Sequence, residues 1–299
     1  MKHWLLGATA ATALLVACGG EAGSGDAVDV DVNDVAVGEV RLPGLSLRTG
    51  DASEAAEALA ALNLTADAGG RVTFADQSLD GAAATFTEVQ IDVQGEEGPF
   101  QAGSLSFAGL EMTDTGPSFG QMTFNDVTIQ PADEEAERVS IDALQLTNPS
   151  PELAAWVASL FGNGEPGELP AAETLRFDGL SMSGFSVDAE SSDELDQFEI
   201  ASIDLRGMGP EKLAAMALEG LELQVRDDEE DVAVVMSLGS LSLAGINTSF
   251  IGALQESDGD DEEAAAALMS MIAQNPGDPN YDAVILDNLT MDIGGVDFA

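Results

Sequence analysis

Leu175-Arg176-Phe177-Asp178-Gly179-Leu180-Ser181-Met182-Ser183-Gly184-Phe185-Ser186-Val187 is the stretch that decides the fold. Its apolar residues alternate with polar ones in three short runs, at 175 and 177, at 180 and 182, and at 185 and 187. Such alternation marks a strand with one buried face. The phase slips by one residue at Gly179 and again at Gly184. An uncompensated slip of one would send every later side chain to the wrong face. Two backbone geometries absorb it. One is a β-bulge, where glycine suits the left-handed position. The other is a corner between very short strands, as in a β-solenoid.

The same order, apolar, any, apolar, any, Gly/Asp/Asn, recurs along the chain. Val30, Val32, Asp34, Val35 and Val37 follow it, and Val40, Leu42, Gly44, Leu45 and Leu47 continue it. Leu105, Phe107, Gly109, Leu110 and Met112 repeat it, as do Met122, Phe124, Asp126, Val127 and Ile129. Further copies are Met216-Leu218-Gly220-Leu221-Leu223 and Val284-Leu286-Asn288-Leu289-Met291, with a weaker one at Phe198-Ile200-Ser202-Ile203-Leu205. The expected fold is mainly β with short helices, a curved, bulged β-sheet built from repeated strand blocks. A β-solenoid is the alternative. The five-residue period is similar to that of pentapeptide-repeat proteins. Here the copies are interrupted, and the inward position expected to be small is often Leu, Phe or Val.

Four helices are expected between the strand blocks. Ser150 caps one that starts at Pro151 and turns Leu153, Trp156, Val157 and Leu160 to one side, ending at Asn163-Gly164. Pro210 opens another, with Leu213, Met216 and Ala217 inward. Residues Ser53 to Leu62 form an alanine-rich third. Asp260 to Ala273 form the fourth, with acidic residues at the positive end of the helix dipole.

The N-terminus carries an address. Lys2 precedes a short apolar run, Trp4 to Val16, which ends in Leu15-Val16-Ala17-Cys18. A basic start, a short apolar stretch and small residues before a cut make a secretory signal. Ending it in cysteine resembles the lipobox of bacterial lipoproteins. That resemblance implies removal of residues 1–17 and lipid attachment at Cys18. Residues 18–27 then form a flexible Gly/Ser-rich tether, and residues 28–299 one β-rich repeat-containing domain. Gly19, rather than aspartate, is similar to the pattern sorted to the outer membrane. The expected location is the bacterial cell envelope, lipid-anchored, at the outer membrane.

Cleavage would remove His3, the single histidine, and lipid would occupy the single cysteine. Ser-His-Asp and Cys-His catalysis, zinc sites and disulfides are then excluded. The formal net charge is -46, and after cleavage Lys212 is the one remaining lysine. The seven arginines are scattered, so a nucleic-acid surface, which needs clustered cations, is excluded. The acidic run Asp258 to Glu263 fails the EF-hand spacing, since position six is Glu263 and position twelve is Met269. No carboxylate pair stands out for glycoside hydrolysis. Trp156 and Tyr281 are the mature chain's only Trp and Tyr, too few for the girdles of an outer-membrane barrel. The chain is therefore expected to be no enzyme, with no catalytic residue, metal or cofactor.

What remains is a membrane-anchored envelope lipoprotein with a structural or protein-interaction role and an unknown protein or lipid partner. The alternative is a carrier of a hydrophobic ligand in an apolar β-groove. The repeated, interrupted apolar strands resemble those of AsmA-type β-groove envelope proteins, a likeness that implies a groove and no particular residue role. The two readings divide on whether helices cover the apolar face of the sheet.

Overall fold

The motif of Leu175–Val187 becomes a strand in a single long antiparallel meander. The computed structural model describes residues 42–64, 71–92, 100–114, 116–129, 138–162, 170–171, 174–188, 195–227, 232–247 and 281–295. Its strands are β1 (Val72–Thr73), β2 (Asp76–Asp80), β3 (Ala83–Ile91), β4 (Phe100–Ala108), β5 (Glu111–Thr113), β6 (Gly116–Ser118) and β7 (Gln121–Ile129). They continue with β8 (Arg138–Thr147), β9 (Phe177–Asp188), β10 (Leu195–Met208), β11 (Lys212–Asp227), β12 (Val232–Asn247) and β13 (Ala283–Gly295). An 11-stranded sheet runs in the order β1-β3-β4-β7-β8-β9-β10-β11-β12-β13, with β2 also on β3. It does not close into a barrel. The hairpin β5–β6 stands apart as a second, small sheet.

Every strand from β3 to β13 except the β5–β6 hairpin carries the motif, and each bends at one residue of positive φ. These residues are Glu88, Gly109, Asp126, Asn148, Gly184, Gly207, Gly220, Gly245 and Asn288, at φ between 46 and 69°. Each closes the apolar-any-apolar-any run in the chain direction. Because neighbours are antiparallel, the bends fall alternately on two lines across the sheet. The first seam joins Glu88, Asp126, Gly184, Gly220 and Asn288; the second joins Gly109, Asn148, Gly207 and Gly245. At a seam the facing residues drop out of the ladder together. Ile200↔Leu221 and Ser202↔Glu219 flank Ala201 and Gly220, and the register resumes unchanged. A β-bulge adds a residue to one strand only. Here both strands slip at the same place, so the sheet changes phase without losing register.

The result is a two-faced sheet. Between the seams, Ala84, Phe107, Met122, Leu146, Leu180, Leu205, Met216, Leu243 and Val284 pair in one unbroken row. Phe86, Leu105, Phe124, Leu144, Met182, Ile203, Leu218, Leu241 and Leu286 form the next. The alternate positions are mostly small and polar, as in the row Thr85, Ser106, Thr123, Gln145, Ser181 and Asp204.

Two helices are described, α1 (Ala55–Ala61) and α2 (Pro151–Phe161). Ser150 caps α2, its Oγ accepting from the Leu153 amide at 3.3 Å, with Pro151 in the first turn. The helix stops at Phe161, two residues before the expected Asn163. Both helices pack on β5–β6, and Phe161 meets Phe107 of β4 edge to face. Phe86, Phe119, Leu59, Leu62, Leu64 and Leu110 are fully buried there.

The helix expected after Pro210 is a strand. Residues Lys212 onward form β11. The slip at Ala214 separates Leu213 from Met216 by three residues, and this mimics helical spacing. The fourth expected helix, Asp260 to Ala273, lies outside the described residues, as do Cys18 and the signal and tether segments.

Candidate functional site

The apolar face is not evenly covered. A helix is about 10 Å wide and rises 1.5 Å per residue, so α1 and α2 together cover roughly 300 Å². The strands lie about 4.8 Å apart and rise about 3.3 Å per residue. The part of the sheet from β9 to β13 alone spans roughly 1,000 Å² or more at those spacings. Neither helix has the length to roof it.

Within that part, burial follows a pattern. Leu180 and Met182 on β9, Ile203 and Leu205 on β10 and Met216 on β11 are only partly buried, and Leu144 on β8 joins them. The register makes them one patch, through Leu144↔Met182↔Ile203 and Leu180↔Leu205↔Met216. All six lie between the two seams. Outside the first seam, Phe185, Phe198 and Ile200 are buried, and outside the second, Phe177, Met208 and Leu213 are buried. Towards β12, Leu218, Leu241 and Leu243 are buried too. The arrangement is a partly exposed apolar floor with buried apolar margins on three sides. Phe185 and Phe198 close one margin as an edge-to-face pair, ring centroids 5.5 Å apart.

The floor carries no charge. The nearest ion pair, Arg206 with Asp204 at 2.5 Å, sits at the alternate positions of β10 and so on the polar face. A floor of Leu, Ile and Met can interact only by excluding water and by dispersion, and the two methionines adapt to an irregular partner. Each methylene it takes from water is worth about 0.8 kcal/mol.

No group of three or more His, Cys, Asp or Glu able to hold a metal occurs among the described residues, and none of the helices described there is long and apolar enough to cross a membrane. Cys18, the one site residue expected from the sequence, lies outside the described residues. Leu180, Met182 and Met216 belong to copies of the motif already legible. Leu144 and Leu146 do not complete a copy of the motif in sequence, because Pro149 follows their bend at Asn148 and hides the next apolar position. Ile203 and Leu205 belong to the weaker copy; β10 does change phase between Ile200 and Ile203, at Ala201 facing Gly220, while its positive φ lies at Gly207 on the other seam. Comparison with known protein families, with curated proteins and with solved structures finds no match for this chain.

Proposed function

We propose that this chain is an envelope lipoprotein, tethered through lipid on Cys18 at the outer membrane, that holds an elongated hydrophobic ligand on its apolar sheet face. The observation that carries this reading is the partly exposed floor Leu144-Leu180-Met182-Ile203-Leu205-Met216, bounded by buried apolar margins and set on a sheet that does not close. Monomers normally leave no contiguous apolar patch of more than a few hundred Å² in water. An acyl chain of a lipid would satisfy this surface.

A fluorescent hydrophobic probe tests it, with protein carrying Cys18→Ser. Saturable, stoichiometric binding competed by phospholipid is expected. Leu205→Asp, at a partly exposed floor position, should weaken it at least tenfold while the melting transition persists. Absence of saturable binding by the folded protein would refute the ligand reading. It would favour the second one, a structural or protein-interaction role. Leu218, Leu241, Leu243 and Ile246, all 7 % exposed or less, support that alternative, since they show the face closed towards β12. The anchor is tested separately. Cys18→Ser should release the protein from the membrane fraction or stall its processing, and a trimmed mutant still held in membranes would refute it.

A further inference from the structure

β13 is the last strand of the sheet among the described residues, and its outer edge is unpaired there. A long open edge is a template for another strand, and proteins blunt such edges with short strands or charge. The opposite end of the sheet is blunted in that way, by the two residues of β1 and by β2, which carries Asp76 and Asp80. The β13 edge is 13 residues long, and its run Ala283-Val284-Ile285-Leu286 bears no charge. We infer that this edge pairs with the β13 edge of a second copy of the chain, antiparallel about a two-fold axis at Ile285.

The seams carry the argument. In each long strand, the residue of positive φ on one seam and the residue that slips on the other are six apart. They are Asn288 and Asp282 in β13, Gly245 and Gly239 in β12, and Gly220 and Ala214 in β11. Two strands join when the bend of each faces the slipping residue of the other, as Gly245 faces Asp282 and Gly239 faces Asn288. Because the spacing is the same throughout, a strand also meets this rule against an inverted copy of itself. For β13 that sets Asn288 opposite Asp282 of the second copy, and the reverse, which fixes every pair between them. Ile285 faces Ile285 of the second copy, Val284 faces its Leu286, and Ala283 faces its Asp287. This register keeps apolar face beside apolar face. The central row that ends in Val284 then runs on through Leu286 of the second copy, and the row that ends in Leu286 runs on through its Val284.

Two side-chain observations point to the same partner. On the polar face, the row that passes through Ser181, Asp204, Ala217 and Ser242 ends in Ile285. Small and polar residues thus give way to an isoleucine at the axis, where the pairing supplies a second isoleucine to pack on it. No carboxylate faces another. Asp287 lies opposite an alanine. Asp282, which accepts from Lys212 Nζ at 3.0 Å, lies opposite Asn288, whose amide can donate. Pairing over Tyr281–Leu289 makes a contact about 30 Å long and one sheet, about 10 Å, deep. That buries roughly 600 Å² in total, below the about 1,200 Å² of stable complexes, so the dimer is reversible. Each copy has a formal charge of -46, and the dimer therefore tightens as salt screens the two. The inference goes beyond the ligand reading and stands whether or not the apolar floor takes a ligand.

Cysteine capture tests it in the full chain carrying Cys18→Ser, where an introduced thiol is the only one. Ile285→Cys, at the axis, should form a disulfide-linked dimer on mild oxidation at least tenfold faster than Thr290→Cys. Thr290 is the more exposed of the two, but its counterpart would lie about 33 Å away along the edge. Without either cysteine, sedimentation equilibrium should show monomer and dimer only, with a dissociation constant that falls as salt rises from about 0.05 to 0.5 M. Ile285→Asp sets two carboxylates opposite each other. It should raise that constant at least tenfold while the melting transition persists, and Thr290→Asp should not. Equal cross-linking at both positions, or equal dimerisation by both aspartate variants, would overturn the inference. So would monomer alone at millimolar concentration, which would mean that another segment or a different protein covers the edge. Oligomers beyond the dimer would also overturn it, since they would show head-to-tail pairing.

Discussion

Replacing Gly184 by alanine isolates what the bends cost. Gly184 sits at φ +62°, on the first seam, facing Asp142 of β8. A residue with a Cβ loses about 1–2 kcal/mol in that conformation. The added methyl also collides with the Asp142 carboxylate and comes within 2.8 Å of its Cβ. The carboxylate can rotate away, but the Cβ moves only with β8, and overpacking of this kind costs about 1–3 kcal/mol. The total is about 2–5 kcal/mol, or roughly 4–20 °C in melting temperature at the ~2–4 °C per kcal/mol of a large domain. Two controls separate the terms. Gly81→Ala has φ +60° and nothing within 4 Å, so it should lose only the conformational part. Gly103→Ala lies on the same seam without positive φ and touches Asp126 at 3.0 Å, so it should lose only the contact part. Thermal unfolding followed by circular dichroism measures all three. If Gly184→Ala melts no lower than either control, the bend has no special backbone demand and the seam argument is wrong.

Glu88 is the one bend residue that is neither Gly, Asp nor Asn. Glu88→Gly should raise stability by about 1 kcal/mol in urea unfolding, and a loss would show that the Glu88 side chain matters more than its φ. Ser150→Ala removes the α2 cap and should destabilise by about 1 kcal/mol on the same measurement; no change would mean that Pro151 alone starts the helix. Hydrogen bonds from the Ser53 hydroxyl and amide hold the Asp51 carboxyl below the usual carboxylate range. A depressed folded pKa favours folding above the unfolded pKa and ceases to as pH falls through the folded one. NMR titration should place the Asp51 midpoint below that of other exposed carboxylates, and Ser53→Ala should bring it back.

The β character and repeated strand blocks were legible because alternation survives in the copies that pair; the copy at Val40 to Leu47 alternates too, yet residues 42–47 form no strand, and the copy at Val30 to Val37 lies outside the described residues. What the residues could not show was the geometry of the slip. Leu180-Ser181-Met182-Ser183-Gly184 marks a phase change, but only the paired strand reveals that Asp142 slips with it. Slips at Gly179 and Gly184 look alike in sequence. Only Gly184 has positive φ, whereas Gly179 is kept small by Leu45 and Arg206 lying over it. The same slip deceived at Leu213 and Met216, where a strand passes for a helix. The floor of the candidate site could not be read either, because its residues belong to the same rows as the buried core. Leu205 and Leu243 share one row and one chemistry. Their different exposure comes from what lies above them, which no local pattern encodes.

The direction of the motif explains why the sheet can be this wide. Each strand bends at the end of its own apolar-any-apolar-any run, so the bend is fixed relative to the chain and not to the sheet. Parallel neighbours would stack every positive-φ residue on one line, with crowded peptides and no small partner opposite. Antiparallel neighbours instead set each bend against an unbent residue, such as Gly220 between Ala201 and Gly239 or Gly184 between Asp142 and Ala201. The alternation needs nothing from distant parts of the chain, so a further antiparallel copy of the motif joins in register by the same rule. Row and seam continue together: the two central rows run from Ala84 and Phe86 on β3 to Val284 and Leu286 on β13 without a polar residue in either. A one-residue error in any strand would break both at once, placing a polar side chain in the row and a bend opposite a residue that does not slip with it, as Gly220 opposite Ile200 or Ser202 in place of Ala201. Register in this sheet is thus held twice over, by hydrophobic patterning and by backbone conformation.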